Sequence, residues 1–211
     1  MIVLQYAAVV LVGYLLGSIP SGYNAGRVRG VDVREYGSGR TGGTNVLRTV
    51  GKKAFAFTVV CDMLKGAVAV LLARALLGTE AAAVLGGIAA VVGHNWSVFI
   101  GFRGGAGTGT SVGGYFFLNL VLTIVVGVFS ALVGFVMLRY ASVTSILICL
   151  LMAPALLIGV LLFNQPVEHL VYALVVGGII LLSHRPNIKR LLQGTERRMG
   201  QPAQKMVEEK A

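Results

Sequence analysis

Charged residues are scarce in this chain of 211 residues. They make up 12% of the sequence, whereas hydrophobic residues make up 56%. A soluble globular domain carries about 25% charged residues, so this composition excludes one. The mean hydropathy of +0.82 predicts an all-α polytopic membrane protein. The length allows six to eight spans joined by short loops, and we therefore expect a single domain.

Acidic residues are scarcer than basic ones. Eight Asp and Glu stand against 18 Lys and Arg, which gives a net charge of +10. Most of the basic residues lie outside the apolar runs, so nucleic-acid binding explains them poorly and no nucleic-acid partner is expected. Orientation in the membrane, with positive loops inside, and attraction to anionic lipid or substrate explain them better.

Cysteine is nearly absent. Cys61 and Cys149 both lie in apolar runs without a CxxC pattern, which is typical of buried thiols. No spacing of His, Cys and Asp fits a metal site, so we expect neither a metal nor a cofactor. Met1 leads directly into an apolar run without a basic region or a cleavage site, and we expect the first helix to be retained.

Five apolar segments are candidate membrane spans, since a span needs about 20 apolar residues. A sixth stretch, 107–138, is long for one helix and short for two, and the sequence breaks most naturally near Asn119. The five candidates are Ile2–Ile19, Ala54–Leu77, Ala81–Ile100, Val143–Phe163 and Leu170–Leu182.

Charge parity decides the number of crossings. The segment Pro20–Lys53 and the tail from Ser183 each hold seven Lys and Arg, and both should be cytoplasmic. An even number of crossings must then join them, which requires two short helices in 107–138. This count predicts seven transmembrane helices, two of them short, with the N-terminus outside and the C-terminus cytoplasmic. Residues 1–198 form the membrane domain and 199–211 a polar tail, with the chain expected to fray from Gly194 onward.

The segment Gly37–Asn45 is the first candidate site. Its glycines allow successive backbone N–H groups to turn toward one anion. Ser38, Thr44 and Arg48 add polar groups nearby. The alternative is a solvated basic loop that only obeys the topology rule.

A second glycine-rich segment, Gly101–Gly107, precedes the start of a helix. Free N–H groups and the positive end of the helix dipole favour phosphate there, and Arg103 adds a guanidinium. A flexible turn is the alternative. The Ser111 pattern G-x-S-x-G lacks the preceding strand that a nucleophile elbow needs, so it is not expected to be a nucleophile.

Ionisable residues also lie within or beside the spans. Asp62 and Lys65 are three residues apart on one helix and are expected to form a structural pair. His94 and His184 each follow an apolar run, on the side where the topology also places both glycine-rich loops. Asn187 lies three residues after His184.

Together these residues resemble the acyl-phosphate:glycerol-3-phosphate acyltransferase family, the small bacterial membrane enzymes of the PlsY type, over 13–198. Each motif is weak alone, whereas the ordered set is specific. The seven-helix topology of that family agrees with the charge count. The matching stretches are Leu16–Gly22, Gly37–Gly39, Thr44–Arg48, Gly51–Lys53, Asp62–Gly66, Gly93–His94, Gly101–Gly105 and His184–Ile188.

The resemblance implies acyl transfer from acyl phosphate to the 1-hydroxyl of glycerol 3-phosphate, giving lysophosphatidic acid and phosphate in phospholipid synthesis. It implies a multi-pass protein of the bacterial inner membrane with its site facing the cytoplasm. Other than substrates and membrane lipids no partner is expected; the oligomeric state is left open, with a monomer favoured. The implied catalytic residues are Ser38, Arg48, His184 and Asn187, and the substrate- or phosphate-binding residues are Gly37, Gly39, Arg40, Thr44, Asn45, His94, Arg103, Gly104, Gly105 and Gly107.

The chain departs from the family pattern at one position in each glycine-rich loop. The family has a functional lysine where this chain has Ala106, and an asparagine where it has Arg40. Arg40 could replace the lost cation in part, although Arg and Lys differ in geometry. Two alternatives therefore stay open: a paralogue with altered or no acyl transfer that binds a phosphate or phospholipid ligand, and a small membrane transporter.

Overall fold

The computed structural model describes residues 1–206. Within them the chain forms ten α-helices, with two short 3₁₀ turns and no strand beyond an isolated bridge between Tyr36 and Lys205. The helices are α1 Ile2–Ser18, α2 Ser21–Arg27, α3 Gly43–Thr49, α4 Lys52–Leu77, α5 Glu80–Asn95, α6 Thr108–Leu118, α7 Leu120–Ala131, α8 Ala141–Phe163, α9 Val167–Ser183 and α10 Arg185–Leu192.

Five helical segments are each long and apolar enough to cross a bilayer, and α9 qualifies only together with α10, from which it is bent by 60°. Helix α6 has 11 residues, so it is roughly 16 Å long and shorter than the ~30 Å hydrocarbon core. The all-helical membrane architecture is thus confirmed. The count of seven crossings and the orientation of the termini stay predictions.

The stretch 107–138 does contain two helices that meet at Asn119, as its sequence indicates. The Asn119 side chain accepts a hydrogen bond from the Leu122 N–H at 3.1 Å and so caps α7. Its amide donates to Gln165 Oε1 at 2.8 Å, which ties the turn to the loop after α8. Helix α7 then continues as a π-helix over Leu132–Met137.

Small residues allow the helices to approach closely, as is common in lipid. A Cβ on Gly17 of α1 would overlap the backbone of Ala90 in α5, and one on Gly66 of α4 would overlap the Thr110 carbonyl in α6. Larger side chains fill the central core, where Tyr115 and Tyr172 are in edge-to-face contact at 4.8 Å between ring centroids. These contacts pack α1 against α5, α4 against α6, and α6 against α9.

The sequence predicts that the tail frays from Gly194 onward, and this prediction is wrong. The segment 195–206, here called the C-terminal strap, folds back over the first glycine-rich loop. Gly37 N–H donates to Gln204 O at 2.9 Å, and Met206 N–H donates to Glu35 O at 2.8 Å. Since these contacts join positions far apart in sequence, local composition gives no sign of them. Residues 207–211 of the predicted polar tail lie outside the described part.

Candidate active site

A cavity of about 550 Å³ opens where the loops and the strap meet the membrane helices. One end is polar and the other is an apolar groove between α4, α6, α7 and α8. The polar end brings together eight of the residues predicted from the sequence: Ser38, Arg40, Thr44, Asn45, Arg48, His94, His184 and Asn187. Gly107 lines the same cavity at the start of α6.

The first loop takes its shape from Asn45, which is 3% exposed. Its amide donates to the carbonyls of Val33, Tyr36 and Arg40 at 2.8, 3.1 and 2.8 Å, and its oxygen accepts from Ser38 N–H at 3.2 Å. The side chain therefore holds the loop closed, which leaves the proposed contact of Asn45 with substrate a prediction.

Two predicted glycines of this loop have the backbone that favours glycine. Gly37 and Gly39 have φ of 57° and 70°, a region that L side chains rarely adopt. The Gly37 N–H already donates to the strap, and Gly37 lines neither of the two cavities at this end. Gly39 lines the smaller of them.

Arg48, near the end of α3, lines the main cavity. Its Nη2 donates to Arg197 O at 3.0 Å, and its buried Nε has no hydrogen-bond partner among residues 1–206. Burial lowers the pKa of Arg48 from its ordinary value. A partly desolvated guanidinium that lines a cavity is a strong attractor for an oxyanion.

Arg40 lies on the other side of the same polar end and donates to Ser183 O at the end of α9. Burial is the main cause of a lowered pKa at Arg40, and the nearby Arg190 adds to it. Within residues 1–206 neither Arg40 nor Arg48 has a carboxylate within ion-pair distance. Both charges are therefore available to an anionic ligand.

The second loop is divided between two cavities. Arg103, Gly104 and Gly105 line a smaller cavity of about 240 Å³, which shares only Arg40 with the main one. The Gly104 and Gly105 N–H groups donate to Asn95 O and His94 O at 3.1 and 3.0 Å. These two amides therefore do not form the anion nest expected from the sequence, because they anchor the loop to the end of α5.

A buried ionic cluster lies beside both loops, within the membrane helices. Asp62 lies 2.9 Å from Lys65 Nζ and 3.4 Å from His94 Nδ1, and it accepts from Ser21 Oγ at 2.5 Å. Lys65 also donates to Ile19 O at 3.1 Å. The predicted pair of Asp62 and Lys65 is confirmed, and Asp62 and His94 also line the main cavity.

His184, directly beyond α9, is 6% exposed. Its Nδ1 lies 2.8 Å from the Ile180 carbonyl, a contact that requires a proton on Nδ1 and leaves Nε2 as an acceptor in the neutral ring. Burial lowers the pKa of His184, and the positive charge of Arg40 contributes to the same direction. The neutral imidazole is thus the form present at pH 7.

Glu196 is a member of the site that sequence reasoning missed. Its side chain is 4% exposed. It accepts from Asn187 Nδ2 at 2.7 Å, from Ser142 Oγ at 2.9 Å and from Arg190 Nε at 2.7 Å. The carboxylate therefore orients Asn187 and joins α8 to α10. Glu196 lies in a polar segment without hydrophobic periodicity, so the pattern of the sequence does not mark it as a site residue. The one available indication is that it is an acidic residue with basic residues on both sides.

These features define an integral membrane protein whose cavity joins a polar end lined by Arg40 and Arg48 to an apolar groove, as suits an enzyme acting on a phosphorylated lipid. A family model for glycerol-3-phosphate acyltransferase matches residues 7–194. The chain belongs to this glycerol-3-phosphate acyltransferase family.

Curated relatives and solved structures agree. The chain is 41% identical over 196 residues to a glycerol-3-phosphate acyltransferase of Symbiobacterium thermophilum, covering 93% of this chain and 96% of that one. A relative from Rubrobacter xylanophilus is 44% identical over 193 residues, covering 90% and 94%. The crystal structure of PlsY (YgiH) in its glycerol 3-phosphate form is 36% identical with a TM-score of 0.83, covering 92% and 96% of the two chains. The crystal structure of the lysophosphatidic acid form is 35% identical with a TM-score of 0.79, covering 92% of this chain and 95% of that one.

Replacing Glu196 with Gln should lower the midpoint of thermal unfolding in detergent. The variant removes the charge that Arg190 and Asn187 bind while keeping the shape, and we expect a loss of about 1–3 kcal/mol. Glu35→Gln is the matched control, because Glu35 is exposed at the first loop and should leave the midpoint unchanged. Equal midpoints for both variants would contradict the role assigned to Glu196.

Proposed function

We propose that this protein transfers a fatty acyl group from acyl phosphate to the 1-hydroxyl of glycerol 3-phosphate. The products are 1-acyl-glycerol 3-phosphate and inorganic phosphate. One observation carries the proposal: a single cavity joins two guanidinium groups, Arg40 and Arg48, to an apolar groove between membrane helices, and neither group has a carboxylate within ion-pair distance among residues 1–206. A water-soluble phosphate and a lipid-borne phosphate can meet only in a site of that kind.

The two phosphates need positive charge and hydrogen-bond donors. Arg48 and Arg40 both line the polar end of the cavity. Ser38 and Thr44 lie beside them with hydroxyl groups. We assign Ser38 and Arg48 to substrate phosphate, with Arg40 reducing the repulsion between the two anions.

The reaction follows from the leaving group. An acyl phosphate is a mixed anhydride, so attack of the glycerol hydroxyl on its carbonyl forms the ester bond and breaks the bond to the phosphate oxygen. The hydroxyl proton passes to a phosphate oxygen of a substrate, and inorganic phosphate leaves. With so good a leaving group, orientation of the two substrates supplies much of the rate, and no covalent acyl-enzyme is required.

His184 and Asn187 lie where they can orient the glycerol. The free Nε2 of His184 is an acceptor for a hydroxyl, and Asn187 is held by Glu196. The amide of Asn187 also suits the oxyanion that develops at the carbonyl. The sequence lacks the H-x4-D pattern of the other glycerolipid acyltransferases, since Phe99 and Lys189 occupy the acid positions after His94 and His184.

We also propose that the site faces the cytoplasm of a bacterial inner membrane, with the N-terminus outside. Both basic segments meet at one end of the bundle, where Arg48 contacts the strap. The connectors at the other end are short, and there His169 and Arg74 both pair with Glu80. The excess of basic residues at the end that carries the cavity supports this orientation.

The direct test supplies purified protein in lipid mesophase with palmitoyl phosphate and glycerol 3-phosphate and measures phosphate release. We expect release only with both substrates. Arg48→Ala should lower kcat/KM about 100-fold, because charge-assisted hydrogen bonds contribute about 1.5–3 kcal/mol.

Arg29→Ala is its control, since Arg29 is an exposed cation outside the cavity. Phosphate release without glycerol 3-phosphate would exclude acyl transfer. Uptake of glycerol 3-phosphate into vesicles without turnover would indicate a transporter.

Activity should fall on the acid side at a pH below 6.5, the ordinary pKa of histidine. The reason is that burial lowers the pKa of His184, so its ring takes up a proton only at lower pH and then loses the Nε2 acceptor. A pH profile of kcat measures this, and His184→Gln should lack that acid limb.

His169→Gln, at the far end of the bundle, should keep the limb. A limb that is unchanged in His184→Gln would assign it to the titration of a substrate phosphate instead.

Arg40 should carry the charge that the lysine of the second loop supplies in the family, because Ala106 and Arg40 line the same cavity. We expect Arg40→Ala to raise the KM for glycerol 3-phosphate about tenfold, and Ala106→Lys in that background to recover part of the loss.

Arg103→Ala removes an equal charge from the smaller cavity. Any rise in the KM for glycerol 3-phosphate that it causes should not be reversed by Ala106→Lys. Recovery in both backgrounds would mean that the added lysine acts through general charge rather than in place of Arg40. Ala106→Lys with a large gain in the otherwise unchanged protein would show a chain limited by its missing cation.

A further inference from the structure

The apolar groove has a wall of small side chains on one helix. Thr123, Gly127 and Ala131 recur every four residues on α7, and all three line the cavity. The Thr123 hydroxyl donates to Asn119 O at 2.6 Å, so its hydrogen-bonding group is satisfied within the helix. Phe55 of α4 and Phe116 of α6 line the same groove. The walls therefore offer apolar surface to a ligand.

The groove has the length of one lipid leaflet. Its lining extends from Thr123 of α7 to Phe135 in the π-helix that continues α7, which is roughly 18 Å at 1.5 Å per residue. One leaflet is about half of the ~30 Å hydrocarbon core. The polar end with Arg48 lies at one end of the groove, as a lipid headgroup lies at one end of its chain. A single fatty acyl chain is the occupant that fits both the length and the charge.

Gly127 is the place where this groove has spare room. A Cβ added there would meet no atom within 4 Å, although the residue lies in the middle of a helix. By contrast, a Cβ on Gly113 or Gly134 would overlap Met63 or Thr144. Those glycines are explained by close helix packing, and Gly127 is not. Glycine within a helix is less favourable than alanine by about 1 kcal/mol, so its open face is explained best by what occupies the groove.

We propose that Gly127 sets the size of acyl chain that the enzyme accepts, by leaving room within the groove for a long chain to pass. This inference rests on the proposed acyl transfer. A larger side chain at 127 would block the groove roughly 12 Å from Phe135 along the helix and leave space only for shorter chains.

The test compares palmitoyl phosphate with octanoyl phosphate as acyl donors, with glycerol 3-phosphate saturating. Gly127→Leu should lower kcat/KM for the palmitoyl donor at least about tenfold and leave the octanoyl donor within about twofold. A tenfold change corresponds to about 1.4 kcal/mol, or the lost burial of about two methylene groups. Gly127→Ala, which adds one methyl group, should show a smaller change in the same direction.

Gly178→Leu is the matched control. Gly178 also lies within a membrane helix with no atom near an added Cβ, but outside the cavity. Gly178→Leu should leave kcat/KM unchanged for both donors. Thermal unfolding checks that all variants fold, and Gly127→Ala keeps the comparison possible if Gly127→Leu does not.

Three results are distinguishable. A shift in chain preference at 127 and none at 178 supports the inference. Equal loss for both donors, or the same shift in Gly178→Leu, overturns it while acyl transfer stands. No phosphate release from either donor in the unchanged protein overturns the proposed function, and the inference with it.

Discussion

The buried carboxylate of Asp62 is the contact on which the rest of the site depends. It lies inside the membrane bundle, where an unpaired charge costs several kcal/mol. Three elements therefore converge on it: Ser21 from α2, Lys65 from α4 and His94 from α5. Since Ser21 and His94 bind the same carboxylate that Lys65 neutralises, the cluster fixes the relative positions of α2, α4 and α5 near the cavity. The ring of His94 also packs where a side chain on Gly105 would lie, so the second loop is held by the same cluster.

Negative and positive charges are treated differently in this fold. Asp62 and Glu196 are buried with full sets of donors, whereas Arg40 and Arg48 have only backbone carbonyls as partners among residues 1–206. A carbonyl oxygen satisfies a donor without neutralising the charge. The polar end consequently keeps a net positive potential that an anion can relieve, and phosphate oxygens match the planar fork of each guanidinium.

Much of this architecture could be predicted from the sequence because it follows from local pattern. The apolar runs placed the long helices, and the polar Asn119 within an apolar stretch marked the turn between α6 and α7. The approach of the two loops to His184 followed from charge parity. The pairing of Glu196 with Asn187 and the division of the second loop between two cavities could not be predicted, since they depend on contacts between distant segments and on which backbone amides are already in use.

The C-terminal strap shows how far such contacts reach. The family model ends at residue 194, yet Arg48 donates to the carbonyls of Arg197 and Arg198 beyond it. These carbonyls hold Nη2, so the strap fixes the position of a guanidinium group that lines the cavity. A cation positioned in this way loses little conformational entropy when an oxyanion binds. The strap thus belongs to the site as a positioning element, although none of its backbone groups has a chemical role in the proposed reaction.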